Sequence, residues 1–183
     1  MTEFRRLRED LIHQGFIWRL MTAEFEAPNG DRFHRDIVRS PGAVGVVPIS
    51  VDAEGTPGVI LIRQYRPAYE TAIIEIPAGM RDLPGEPPET TARREMVEEI
   101  GYEANEVRLL TQIYPSPGMS DSVTHIYVAT GLSAVERHTH GPEEDYMEVL
   151  HLPLTEAIRL VECGDIRDAK TVVGLLLTER LLR

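Results

Sequence analysis

Three glutamates, Glu95, Glu98 and Glu99, stand within the run Arg94-Glu95-Met96-Val97-Glu98-Glu99-Ile100-Gly101. Spaced i, i+3 and i+4, they crowd one face of a helix. Each like-charged neighbour pair there costs roughly 0.2–0.5 kcal/mol, and a bound cation reverses that repulsion. Clustered carboxylate oxygens are what Mg²⁺ or Mn²⁺ uses, and substrate phosphates commonly complete a magnesium ion's shell. The pattern therefore points to metal-assisted chemistry on a phosphate. Its bland counterpart is a solvated acidic face, with Arg94 and Glu98 forming an ordinary i, i+4 ion pair.

The element carrying these residues is a helix predicted over Pro88 to Ile100. Prolines stand at its start, where a missing amide donor costs nothing, and Gly101 follows its end. Ala92, Met96 and Ile100 form its apolar stripe. Ahead of it, Thr71 to Ile76 reads as a short strand stopped by Pro77 and Gly79, and Pro84-Gly85-Glu86 leads into the helix. That strand–loop–helix frame brings a backbone carbonyl within reach of the carboxylates.

The remaining elements supply the frame. Leu20 to Val38 reads as two strands around Pro28-Asn29-Gly30-Asp31, a hairpin turn signal. Ala43 to Ile49 is a Val- and Ile-rich run typical of a buried strand, and Val59 to Gln64 pairs with it across a turn. Strands are expected at Val107 to Tyr114, Val123 to Ala129 and Met147 to Pro153, and helices at Thr155 to Glu162 and Lys170 to Leu182. Mixed strands with interspersed helices predict an α/β (α+β) sandwich, not a regular βαβ repeat.

Composition narrows the function. At 183 residues, 42% hydrophobic and 27% charged, the chain has enough interior for a sizeable core. Thirty acidic against 19 basic residues leave a formal charge of −11. Sequence-independent nucleic-acid binding needs a basic surface, so no nucleic-acid partner is expected. A phosphate substrate remains compatible if metal ions carry positive charge into the site. Cys163 is the only cysteine, which excludes an intramolecular disulfide and fits a reducing, cytoplasmic setting. Met1 to Arg8 is charged, with no apolar stretch after it long enough for a signal peptide or membrane span.

From Gly79 to Tyr102 the sequence resembles the Nudix hydrolase family. That family's box is Gly, five residues, Glu, seven residues, then Arg-Glu-Φ-x-Glu-Glu-x-Gly-Φ, with Φ apolar. Gly79 opens it here, Glu86 is the first acid, and Arg94 to Tyr102 completes it. Six residues instead of five separate Gly79 from Glu86; one more loop residue is cheap entropically and leaves the helix register untouched. The resemblance implies an α/β/α sandwich with a mixed sheet. It implies that Glu95, Glu98 and Glu99 hold Mg²⁺ or Mn²⁺ with help from the carbonyl of Ala78 or Gly79. Arg94 would orient the carboxylates, Glu86 would stabilise the box, and Gly101 would end its helix.

Outside the box the chain looks like the ADP-ribose pyrophosphatase branch, through Arg63-Gln64-Tyr65-Arg66-Pro67, Glu75-Ile76-Pro77-Ala78-Gly79, Pro115-Ser116-Pro117-Gly118 and Gly164 to Thr171. Relatives acting on other nucleotide sugars share these motifs. Arg63 and Arg66 are three apart on a strand and point to opposite faces, so one of them faces the site; by resemblance it is Arg66, gripping phosphate bidentately. The alternative is a surface ion pair. The general base of such relatives is a glutamate on a late loop, which here suggests Glu144 first and Glu143 second, against a plain acidic loop. Relatives often carry Glu where Ser122 follows Asp121, so contacts to the distal half of the substrate differ here. Trp18, Phe25 and Phe33 offer rings for base stacking or for burial in a core or interface.

The implied reaction is direct hydrolysis of a nucleoside diphosphate derivative without a covalent intermediate, with ADP-ribose, giving AMP and ribose 5-phosphate, as the leading substrate. Metal ions would neutralise charge on the phosphate oxygens and activate water, and Glu144 or Glu143 would take its proton. Rivals are another nucleotide sugar or dinucleotide, a Nudix-type module that binds without cleaving, and an acidic interaction domain. The resemblance also implies a homodimer built through an N-terminal hairpin region, residues 1–40, ahead of a hydrolase domain, residues 41–183.

Overall fold

The computed structural model describes residues 3–137 and 146–183. Its elements fall into two units, one of residues up to Gly42 together with Tyr114–Val123, the other of Ala43–Ile113 with Thr124–Arg183.

In the first unit, β1 (Arg5–Gln14), β2 (Arg19–Glu26) and β3 (Arg32–Arg39) form an antiparallel sheet in that order. The β2–β3 hairpin turns where Asn29 and Gly30 predict it: Gly30 adopts φ +90, and the Asn29 side chain accepts the Asp31 amide at 3.1 Å. Strand β1 was not expected, because its residues are nearly all exposed and Arg5, Arg6, Arg8, Glu9 and Asp10 break any apolar alternation. Cross-strand pairing supplies what the pattern lacks. Phe25 and Phe33 face each other across β2 and β3 and stack at 5.5 Å. Segment Tyr114–Val123 is tied to β3 by Val38 N–H donating to the Met119 carbonyl at 2.8 Å and by Arg39 meeting Asp121 at 3.0 Å.

The second unit is built on strands buried on both faces. It contains β4 (Ala43–Val51), β5 (Pro57–Arg66), β6 (Thr71–Glu75), β7 (Ala78–Met80), β8 (Tyr102–Ile113), β9 (Thr124–Ala134) and β10 (Glu148–Pro153). The sheet runs β10-β5-β4-β9-β8, with β6 added to β5 and β7 to β4. Among the described residues only the β4–β9 pair of this sheet is parallel, so the sheet is mixed. Its helices are α1 (Pro88–Glu95), extended by a π-helical turn Met96–Ile100, then α2 (Leu154–Glu162) and α3 (Ala169–Leu182).

Period-2 alternation sorts the core into two layers. Val47 and Ile49 of β4, Val59 and Leu61 of β5, and Ile126 and Val128 of β9 pack with Leu154, Ala157, Ile158 and Leu175 of α2 and α3. Their neighbours Val44, Val46, Ile60, Ile62, Tyr127 and Ala129 pack with Ala92, Met96 and Ile100. Helices on both sides of the sheet make the expected α/β/α sandwich. They also explain why these strands read as continuous apolar runs. Burying each such aliphatic side chain contributes roughly 1.5–3 kcal/mol.

Candidate active site

The helix expected over Pro88 to Ile100 is not one regular α-helix. It is α-helical to Glu95 and then widens into the π turn that carries Glu98 and Glu99. Gly101 ends it in the left-handed region at φ 70, its amide reaching back to the carbonyls of Met96 and Val97. π turns are frequent at functional sites, and this one re-aims two of the three acids. Glu86 stands at the helix entrance, accepting the Thr91 hydroxyl at 2.7 Å and lying 3.5 Å from Arg94 Nη2. Those two partners hold its carboxyl below the usual range.

Arg94 is the hub of the acids. Its Nη1 lies 2.8 Å from Glu98 Oε2 and 2.9 Å from Glu95 Oε1. Burial acts to lower its pKa, but Glu95, Glu98 and Glu86 outweigh that and hold it above the ordinary value, so Arg94 is a fixed cation. The expected i, i+4 pair with Glu98 is therefore present, inside a larger cluster. Glu99 turns the other way and accepts the Ala78 amide at 2.7 Å. Glu95 and Glu99 are 7% and 4% exposed, which removes the solvated-face reading, since unpaired buried carboxylates are far too costly.

Strand β7 lies against these two carboxylates. A methyl added at Gly79 would stand 1.9 Å from Glu95 Cδ. Glycine is needed there for the absence of a side chain and the close approach it permits. Adjacent residues of β7 thus touch Glu95 and Glu99, while Arg94 links Glu95 to Glu98. Among the described residues no three such side chains close into a cation cage. The donor set nonetheless fits a hard divalent ion: carboxylate oxygens in a hollow that only a glycine backbone leaves open.

Beside the box lies a second group of charges. Arg66 reaches Glu75 bidentately, Nε to Oε1 at 2.6 Å and Nη2 to Oε2 at 2.9 Å. Lys170 Nζ donates to the same Glu75 carboxylate and to Asp168 Oδ2, the latter at 3.0 Å. Burial pushes the Glu75 carboxyl up, but Arg66 and Lys170 overcome this and hold it below the usual range. Arg66 lies above its ordinary value, chiefly through its bond to Glu75, with Glu99 and Asp168 adding to it. The fork expected to grip phosphate is thus engaged by Glu75. Glu75, Asp168, Lys170 and Thr171 stand in segments that carry the resemblance, but no individual role was legible for them in sequence. The signal available was the helix-start pattern Asp168-Ala169-Lys170-Thr171, in which Asp168 caps α3.

The other expected residues divide as follows. Arg63 makes an exposed cross-strand pair with Glu148 at 3.5 Å, the surface ion pair weighed as its alternative. Trp18 and Ser122 belong to the first unit. Trp18 packs on His13 at 5.8 Å, and the Ser122 amide donates to Ser120 Oγ at 3.1 Å. Glu143 and Glu144 lie outside the described residues.

The NUDIX domain profile matches residues 39–172. The chain belongs to the Nudix family. It is 38% identical to the ADP-ribose pyrophosphatase of Bacillus subtilis (strain 168), across 94% of this chain and 91% of that one. It is 36% identical to the methanol dehydrogenase activator of Bacillus methanolicus, across 94% and 91%. Its fold is similar to the crystal structure of an ADP compounds hydrolase, with a TM-score of 0.84 and 26% identity over 98% of this chain and 94% of that one. The family acts on pyrophosphate bonds and generally needs a divalent cation, and this chain is a hydrolase of that kind. None of its described helices is long and apolar enough to cross a membrane.

Proposed function

We propose that the protein hydrolyses ADP-ribose to AMP and ribose 5-phosphate in the cytoplasm, using Mg²⁺ or Mn²⁺ held by Glu95, Glu98 and Glu99 with a backbone carbonyl of Ala78 or Gly79. The observation that carries this reading is the close approach of β7 to Glu95 and Glu99, with Gly79 bare against one carboxylate and the Ala78 amide on the other. The cation supplies charge neutralisation at the phosphate oxygens and a more acidic water. Arg94 pairs with Glu95 and Glu98 and aims them, and Glu86 with Thr91 steadies Arg94 from the helix entrance. Burial of Glu95 and Glu99 keeps bulk water from competing for their oxygens. Glu144, or Glu143 after it, takes the proton of the attacking water. The protein acts as a homodimer joined through the N-terminal strands, with a small nucleotide as its partner and neither nucleic acid nor membrane.

The likeness to a Bacillus subtilis ADP-ribose pyrophosphatase over nearly the whole chain supports ADP-ribose over other nucleoside diphosphate derivatives. The test is a substrate panel of ADP-ribose, other nucleotide sugars and dinucleotides, with Mg²⁺ or Mn²⁺, repeated with Glu95→Gln and Glu99→Gln. ADP-ribose should have the highest kcat/KM. Each substitution should lower it roughly a hundredfold to a thousandfold, since metal stabilisation is worth several kcal/mol at about 1.4 kcal/mol per tenfold. Cleavage that survives both substitutions and chelation sinks the metal mechanism; a faster competitor in the panel sinks the substrate.

A further inference from the structure

Between β6, which ends at Glu75, and β7, which begins at Ala78, the chain passes through Ile76 and Pro77, outside either ladder. Ile76 is fully buried. Its amide would lack a partner in the sheet, and Pro77 has none to donate. The amide is received by α3: Ile76 N–H donates to Thr171 Oγ1 at 2.9 Å. The same hydroxyl donates onward to Asp168 Oδ2 at 2.6 Å, and that oxygen also accepts the Thr171 amide at 3.0 Å. Thr171 is itself fully buried, so its hydroxyl is held at both ends with no solvent alternative.

This matters two residues later. The Pro77 carbonyl accepts Val46 N–H at 2.9 Å, the Ala78 amide holds Glu99, and Gly79 backs Glu95. The backbone from Ile76 to Gly79 is therefore pinned from α3 at one end and from β4 in the middle, and it delivers its far end to the box carboxylates. Immediately before the same segment, Glu75 is gripped by Lys170, the neighbour of Thr171. One helix start thus holds both Glu75 and Ile76, the two residues at the entrance to the stretch. Gly174, one turn on, permits this closeness, because a methyl there would lie 2.9 Å from Val47 Cγ2.

We infer that Thr171, held by Asp168, is a positioning residue for hydrolysis, setting the Ala78–Gly79 backbone against Glu95 and Glu99 so that the cation site has its shape. The inference rests on the metal-site reading above, and its test separates the two. Mn²⁺ binding, read by electron paramagnetic resonance of the free ion, is compared in the full-length wild type, Thr171→Ser, Thr171→Val and Asp168→Asn, alongside kcat and the Mg²⁺ concentration for half-maximal rate with ADP-ribose. Partners that orient ligands indirectly typically change metal affinity or activity about ten- to a hundredfold when lost. Thr171→Val should weaken Mn²⁺ binding and raise the half-maximal Mg²⁺ by at least about tenfold, Asp168→Asn should move both the same way, and Thr171→Ser should restore them to within about twofold.

A soluble Thr171→Val protein with wild-type Mn²⁺ affinity overturns the inference even if it is less stable. Should that variant not fold, unchanged Mn²⁺ binding in Asp168→Asn overturns it equally. A wild type that binds Mn²⁺ but leaves ADP-ribose intact removes the substrate reading, and the Mn²⁺ series alone then decides the role of Thr171. A wild type that binds no Mn²⁺ ends both.

Discussion

The three-stranded sheet and the carboxylate box are both dense in charge, and they use it oppositely. In the sheet, Arg5–Glu26, Arg8–Asp10 and Arg32–Glu24 pair across or along strands with their arginines 62% to 72% exposed. In the box and its neighbour, Glu75, Glu95 and Glu99 are at most 7% exposed, and each is met by a cation or an amide. Charges left in water cost little to hold and return little. Charges taken out of water must be satisfied or they unfold the protein. Buried acids therefore mark where a fold is constrained by chemistry, and exposed pairs mark only a solvated face.

Substitutions at the two regions should differ in proportion. The largest effect is expected from Gly79→Ala, whose methyl has no room beside Glu95. Either the core strains by roughly 1–3 kcal/mol or Glu95 moves. A displacement of about an ångström lowers kcat/KM on the order of a hundredfold. Steady-state kinetics with thermal melts measure both, and a fully active, equally stable variant would contradict the packing described for β7.

Arg66→Ala comes next. It strips one cation from the buried Glu75, and should cost about 2–3 kcal/mol in urea unfolding, less than a fully buried pair because Arg66 is a third exposed. The pairing has a pH signature of fixed sign. Glu75 has its folded pKa depressed below the ordinary 4.5. Its contribution is therefore complete above 4.5 and is lost as pH falls through the lower folded value. The wild type should lose its advantage over Arg66→Ala as unfolding is measured from neutral pH down into that acid range. An advantage that grew on acidification would reverse the assignment.

The smallest effect belongs to the sheet. Arg32→Ala should shift stability by less than about 0.5 kcal/mol and vanish within error at high salt. A cost comparable to that of Arg66→Ala would erase the distinction between the regions.

Much of this was readable in the chain. Glu95, Glu98 and Glu99, with Arg94, Glu86 and Gly101, announce the box by type and spacing, and the Val- and Ile-rich runs of β4 and β5 announce strands covered on both faces. Strand β1 was not legible, because pairing to β2 stabilises it while its own side chains carry no alternation. The π turn was not legible either. Residue types that favour an α-helix also fill a π turn, and the choice between them depends on how Gly101 closes the helix and how Glu99 reaches Ala78. That Arg66 pairs with Glu75 was not legible, because an arginine's reach is evident in sequence and its partner is not. Glu75 lies nine positions away on the neighbouring strand, where the register sets it opposite Ile62, and only the length of the arginine side chain brings the two together.

Local physics thus determined most of the helices and strands of the second unit, that they form a sandwich, and that one helix carries enough acid to hold a divalent ion. Only the tertiary structure decided what surrounds those acids: a bare glycine backbone against Glu95, an amide on Glu99, and an α3 hydroxyl holding the strand that provides both. Spacing along a chain fixes neighbours within one element. Contacts between Ile76 and Thr171, 95 positions apart, exist only once the layers have packed.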